Sequence, residues 1–247
     1  MNLQEEYDVS VVLPCFQEEE QVINGASEIH KIMCETKYSF EIIFIDDGST
    51  DNTRDKILEA AKKFTEIKYI FRNENGGRGI SFADGVNLAR GKYIGFLDID
   101  LEISCKYLPE VILELEKGND ISIVKRSYDN SMNPVFIVRQ AASYFYRLLV
   151  RTMLHLPPLD TETGFKFFKR ACIFSLLEKV QSGRWFFDTE IVALAHKQGF
   201  KISEVPGKCV RLPNKKSNVR LLPDSIKQFS QLLKFRRRLT KIQSFPK

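Results

Sequence analysis

Three acidic residues at alternate positions, Asp98, Asp100 and Glu102, close the apolar run Tyr93-Ile94-Gly95-Phe96-Leu97. Alternate side chains of an extended segment point to one face, so a chain leaving a sheet still extended presents the three carboxylates together. Carboxylates so placed repel one another, and a hard divalent cation with oxygen ligands is the natural counter-charge. The plainer reading is a solvated acidic turn after a strand. What the rest of the chain brings to the same place decides between the two.

From Tyr7 onward, short β-branched or apolar runs alternate with longer stretches of helical period, which predicts a mainly parallel sheet covered by helices. Val9 to Leu13 reads as the first strand, stopped by Pro14. Val22, Ile23, Ala26, Ile29, Ile32 and Met33 follow at helical spacing, with Glu18, Glu19 and Glu20 expected in the first turn, where the helix dipole favours them. Phe40 to Ile45 hardly alternates and reads as a strand buried on both faces. The loop Asp46-Asp47-Gly48-Ser49-Thr50-Asp51-Asn52-Thr53 is made of turn formers and helix caps. A second helix on Ile57, Leu58, Ala61 and Phe64, a third strand Ile67 to Phe71 and a third helix on Phe82, Val86 and Ala89 make the acidic stretch the end of a fourth strand. In open α/β sheets ligands bind outside the carboxyl ends of the strands, so four polar loops converge on Asp98. Gly76, Gly77 and Gly79, just before a helix, let backbone N–H groups approach an anion, although neither the Walker spacing nor the dinucleotide fingerprint fits.

Tyr107 to Leu115 reads as a helix with Pro109 in its first turn, and Asp120 to Val124 as a strand ending at Lys125-Arg126. Val135 to Leu154 is rich in Phe, Tyr, Leu and Val but holds Arg139, Arg147 and Arg151. It is either a core helix with snorkelling arginines or a helix lying in a membrane interface. Gly164 to Arg170 reads as a strand, Ile173 to Val180 as a helix, Asp188 as the start of another, and Lys201 to Val205 as an edge strand. A basic loop from Arg211 to Arg220 leads to a helix from Asp224 to Leu239, with Ile226, Phe229, Leu232, Leu233 and Phe235 on one side and Lys and Arg on the other. No linker divides the chain, which reads as one domain, residues 1–220, with a basic amphipathic extension, 221–247.

The 247 residues suffice for a large α/β domain and carry a formal net charge of +5, concentrated toward the C-terminus. Such a tail suits nucleic acid, phosphorylated ligands or anionic lipid. No apolar run approaches the roughly 20 residues that span a bilayer, and the first residues lack a signal-peptide pattern, so a cytosolic chain is expected. Five scattered cysteines without Cys-x-x-Cys spacing argue against disulfides and zinc and suggest small buried hydrophobes. His30, His155 and His196 sit in or beside helical patterns, away from the strand-end loops.

The ordered set Pro14-x-x-x-Glu18, Asp46-Asp47-Gly48-Ser49-Thr50-Asp51, Asn75-x-Gly77-x-Gly79, Asp98-x-Asp100, Thr163-Gly164-Phe165-Lys166 and Phe187-Asp188-x-Glu190 resembles the family 2 glycosyltransferases of GT-A fold. Within them it is similar to the polyprenyl-phosphate sugar synthases, the dolichyl-phosphate mannose and glucose synthases, over roughly Asp8 to Arg238. The resemblance implies a Rossmann-like, mostly parallel sheet flanked by helices, with a C-terminal amphipathic helix. It implies inverting transfer of a hexose from a nucleotide sugar to a dolichyl or undecaprenyl phosphate, with Mg²⁺ or Mn²⁺. Donor binding is then expected of Pro14, Glu18, Asp47, Gly77 and Asp98, and metal binding of Asp98, Asp100 and Glu102. The acceptor phosphate falls to Arg126, Arg139, Ser143, Arg211 and Lys216, with Asp98, Asp100, Arg126 and Arg139 as the catalytic set. Glu102 stands where mannose synthases often have Gln, Gln17 where Asn is usual, and Ser217-Asn218 where a Ser-Lys pair is usual. A lipid acceptor implies peripheral contact with the cytoplasmic face of a membrane, leaves room for a membrane-anchored partner subunit, and assigns the basic tail to lipid rather than nucleic acid.

Gln181-Ser182-Gly183-Arg184-Trp185 also matches the Gln-x-x-Arg-Trp motif of processive polysaccharide synthases, which attack with a sugar hydroxyl. That chemistry needs a carboxylate base, for which Glu162 and Asp188 are the candidates. Arg184-Trp185 leans toward glucose from a uridine donor, with mannose from a guanosine donor open. A sugar-nucleotide-binding module without turnover is the non-enzymatic alternative.

Overall fold

The computed structural model describes residues 5–128, 134–184, 186–210 and 221–243, with the side chains of 134–142, 221–226 and 240–243 excepted. Arg211, Lys216 and the side chain of Arg139 therefore lie outside the described residues. Strands β1 (Tyr7–Cys15), β2 (Phe40–Asp46), β3 (Ile67–Phe71), β4 (Gly91–Leu97), β5 (Ile121–Tyr128), β6 (Phe165–Lys169) and β7 (Ile202–Cys209) form one sheet in the order β3-β2-β1-β4-β6-β5-β7. All neighbours are parallel except β6, which runs antiparallel to both β4 and β5. Its reversal sets the residues just before β6, Thr163-Gly164, beside the end of β4 and Asp98.

Helices α1 (Val22–Cys34), α2 (Thr53–Lys63), α3 (Arg78–Leu88), α4 (Leu108–Glu116), α5 (Pro134–Leu154), α6 (Arg170–Leu177), α7 (Phe187–Lys197) and α8 (Leu221–Gln243) cover the sheet. The alternation of each strand divides the core between its two faces. Val11, Leu13, Ile42 and Phe44 meet Ile29 and Met33 of α1, Ile57 of α2 and Val111 of α4. Val12, Ile43, Ile94 and Phe96 meet Phe82 and Val86 of α3, Ile173 of α6 and Ile191 of α7. β2 is buried at every position, as its unbroken apolar run predicts.

Several local expectations are corrected. Pro14 does not stop β1, which runs on to Cys15. The ladder to β4 ends at Val12, so the missing N–H of Pro14 breaks no bond on that side. Glu18 to Glu20 precede α1, and Glu19 instead accepts from the backbone and side-chain nitrogens of Asn52, at 2.9 and 2.8 Å. All five cysteines are free, but Cys34 is exposed while the other four are buried.

In α8, Leu232, Phe235 and Leu239 are buried in the second core cluster, at helical spacing. Burial of such side chains stabilises by roughly 1.5–3 kcal/mol each. Phe229 is exposed, so the expected apolar side of this helix does not all face the protein. Among the described residues no helix is long and apolar enough to cross a membrane.

Candidate active site

The acidic residues do not leave β4 as an extended face. Leu101, at φ 52°, donates its N–H to the Asp98 carbonyl at 3.1 Å, and Ile99 turns into the core. The turn tightens further where Asp100 Oδ1 accepts the N–H of Glu102 at 3.1 Å. Among the described residues no three His, Cys, Asp or Glu side chains form a metal cage.

What meets Asp98 is a line of alternating charge. Its side chain, 46% exposed, forms an ion pair with Arg78, the first residue of α3. Arg78 Nη1 lies 3.4 Å from Asp188 Oδ2, and its guanidinium sits over the Phe96 ring, 5.2 Å from the centroid. Asp188 Oδ1 is 2.6 Å from Nζ of Lys166, a side chain with 0% exposure that also donates to the Thr163 carbonyl. Burial pushes the Lys166 pKa down, against the opposing pull of Asp188. A Cβ on Gly164 would strike Asp98 Oδ2 and Arg78 Nη2, so glycine is what lets β6 start this close to the pair.

Asp47 is buried and holds the glycine loop. Its oxygens accept from Gly76 N at 2.9 Å and Gly77 N at 2.7 Å, and Arg72 Nε lies 3.1 Å away. The N–H groups of Gly79 and Ile80 donate to the Gly183 carbonyl, at 2.9 and 3.3 Å. The expectation that this loop offers free N–H groups to an anion is therefore corrected for Gly76, Gly77 and Gly79, all three of which are occupied within the protein. Glu190 fixes the covering segment by accepting from Gln181 N and Ser182 N, at 3.1 and 2.8 Å, and pairs with Arg238 of α8. Arg184 completes the cover by reaching Asn75 Oδ1 at 3.4 Å.

Pro14 and Glu18 lie beside the loop after β2. Glu18 N donates to Thr53 Oγ1 at 2.9 Å, and the neighbouring Gln17 Nε2 to Thr50 Oγ1 at 2.8 Å. Gln17 has φ 60°, a conformation that Asn adopts more readily than Gln. Arg126 grips Asp160 with Nε and Nη2, both at 2.8 Å, and lies 3.9 Å from Glu162. Burial works against the Arg126 charge, but its hydrogen bonds to Asp160 outweigh it and raise its pKa. Asp160 is held below the usual carboxylate range by the same bonds, despite burial. Burial pushes the Glu162 carboxyl up, with Asp160 and Asp188 adding to the effect and Arg126 and Arg147 opposing it. Ser143 is half-buried on α5. The Glu102 carbonyl accepts from Val210 N at 2.7 Å, which anchors the residue before Arg211 to the acidic turn.

Sequence reasoning missed Arg78 and Arg72. The sequence signal for Arg78 is its place between Gly77 and Gly79 at the start of a helix. The hard carboxylate oxygens of the half-exposed Asp98 suit Mg²⁺ or Mn²⁺. Such ions often take only one or two carboxylates and complete their shell with substrate phosphates and water.

Replacing Lys166 by Met leaves Asp188 buried with only Arg78. Breaking a buried pair in this way costs about 3 kcal/mol or more, read as a lower urea midpoint at unchanged m-value. A loss below about 1 kcal/mol would show that the pair contributes little.

The profile of Glycosyl transferase family 2 matches residues 10–177. Glycosyltransferase AglD of Haloferax volcanii is 28% identical over 234 residues, 92% of this chain and 36% of that protein. The dolichyl-phosphate beta-glucosyltransferase of Dictyostelium discoideum is 29% identical, over 80% of this chain and 64% of that one, and the protein of the same name from Saccharomyces cerevisiae 28%, over 93% and 74%. The chain thus spans about a third and just under two thirds of the first two relatives' lengths. Glucosyl-3-phosphoglycerate synthase from Mycobacterium tuberculosis, solved with Mn²⁺, uridine diphosphate and glucosyl-3-phosphoglycerate, superposes with a TM-score of 0.70 at 18% identity, over 93% of this chain and 80% of that one. That likeness establishes the GT-A type of fold. With well over half of its length matched by the family, the chain belongs to glycosyl transferase family 2.

Proposed function

We propose that this glycosyltransferase moves glucose from uridine diphosphate glucose to a polyprenyl phosphate, with inversion at the sugar and with Mg²⁺ or Mn²⁺. The observation that carries the reading is the meeting of two charge systems at one sheet edge. The Asp98–Arg78 pair lies on one side, and Arg126, with the chain entering Arg211, on the other. The dolichyl-phosphate glucosyltransferases among the relatives support the lipid phosphate and the glucose.

Asp98, with Asp100 or Glu102 as a second carboxylate, would hold the metal ion, which when bound supplies neutralisation of the diphosphate leaving group. Pro14, Glu18 and Gly77 line the nucleotide end of the donor, and Asp47 acts there through the loop it braces. Arg126, Arg139, Ser143, Arg211 and Lys216 hold the acceptor phosphate and aim one oxygen at the sugar's anomeric carbon. That oxygen forms the new bond as the bond to the donor diphosphate breaks, and a single displacement inverts the centre. A phosphate oxygen is already ionised, so no general base is required.

A sugar hydroxyl as acceptor is the second reading, favoured by Glu162, a carboxyl 3.9 Å from Arg126 whose pKa burial raises. Asp188, the other candidate base, is bound to Lys166 and Arg78.

The lipid acceptor accounts for an unusual surface. Tyr144 and Phe145 on α5 are each 66% exposed. α8 presents exposed Phe229, Lys234, Arg236 and Arg237, whereas Arg238 turns inward to Glu190. This mixture suits peripheral contact with anionic lipid at a cytoplasmic membrane face. Serine at both 144 and 145 should lower co-sedimentation with anionic vesicles severalfold, and unchanged co-sedimentation would remove these aromatics from membrane contact.

The function is tested by incubating the protein with polyprenyl phosphate, Mn²⁺ and each nucleotide sugar in turn. A glycolipid should form with the uridine glucose donor, and Asp98→Asn should lower kcat by about 100-fold or more. Product with a water-soluble glycan only would sink the lipid reading and favour the second.

A further inference from the structure

Arg78 spans two carboxylates of different character. Asp188 is buried and already held by Lys166, whereas Asp98 is half-exposed and, among the described residues, meets Arg78 as its cation. Most of the Arg78 side chain is buried, its flat face lies on Phe96, and it is in ion-pair contact with Asp98. A second contact, to Asp188, holds the guanidinium at the site independently of Asp98.

Two cations in contact with one carboxylate repel each other. We propose that Arg78 is a positioning residue that acts as the counter-ion of Asp98 in the donor-free enzyme and gives Asp98 up to the divalent cation. This inference rests on the reading of Asp98 as a metal-holding residue. Arg78 suppresses metal occupancy before the donor arrives, and the metal enters with the nucleotide diphosphate, whose negative charge offsets the repulsion from Arg78. Gly164 belongs to the same device, because a side chain there would wedge the pair apart.

The test is a Mn²⁺ titration of the whole protein, followed by the electron paramagnetic resonance of free Mn²⁺, with and without uridine diphosphate. Without the nucleotide, Arg78→Gln should bind Mn²⁺ at least about fivefold more tightly than the unaltered protein, and Arg78→Lys within about twofold of it. With the nucleotide present the advantage of Arg78→Gln should shrink. Thermal melting checks the fold, and Arg78→Met, whose apolar stem still lies on Phe96, carries the same expectation should the Gln variant not fold. Equal or weaker Mn²⁺ binding by the folded variants, with the unaltered protein binding Mn²⁺ in the presence of nucleotide, overturns this inference alone. No Mn²⁺ bound by any form under either condition overturns it together with the reading of Asp98.

Discussion

The placing of carboxylates against a low-dielectric core is the constraint on which the rest of this site depends. An isolated buried charge is prohibitively costly, so Asp188 at the start of α7 requires a cation, and Lys166, wholly buried, requires an anion. Their pairing fixes β6 against α7, and Arg78 extends the line to Asp98 at the solvent edge. The reversed direction of β6 follows the same need, because it brings Thr163, Gly164 and Lys166 to the edge where the parallel strands end. The close approach of β4 and β6 also explains Gly95, where a Cβ would strike the Phe167 ring and the Lys166 carbonyl.

A second set of bonds closes the donor side. Asp47 spends both oxygens on the glycine loop, and the Gly183 carbonyl covers the first turn of α3. Glu190 holds that covering segment from below, and α8 is fastened to the same carboxylate through Arg238. The C-terminal helix is thereby joined mechanically to the segment that lies over the glycine loop. Arg238 thus belongs to the protein interior, while Arg236 and Arg237 remain exposed.

Much of the fold was legible because it is written in local periodicity. The unbroken run of β2, the helical spacing from Val22 to Met33 and the strand β6, though not its direction, all have local signals, and six short motifs in order identified the family. What was not legible depends on partners remote in sequence or on backbone states that residue type does not announce. Arg78 and Asp188 are 110 residues apart, and nothing local marks either as the other's partner. The positive φ of Leu101, a residue with no preference for it, converts an expected extended face into a turn. The glycine loop reads as N–H groups open to an anion, but those of Gly76, Gly77 and Gly79 are bonded to Asp47 and the Gly183 carbonyl, partners that nothing local announces.

A phosphate acceptor is proposed because it needs no general base, and of the two candidate bases Asp188 is bound in ion pairs to Lys166 and Arg78. The most direct measurement compares nucleoside diphosphate release from uridine diphosphate glucose in the presence of a polyprenyl phosphate and of the corresponding polyprenol. Release that requires the phosphate, with the alcohol no better than buffer, is the result expected. Equal release with the alcohol would contradict it, since the arginines would then have no acceptor charge to hold.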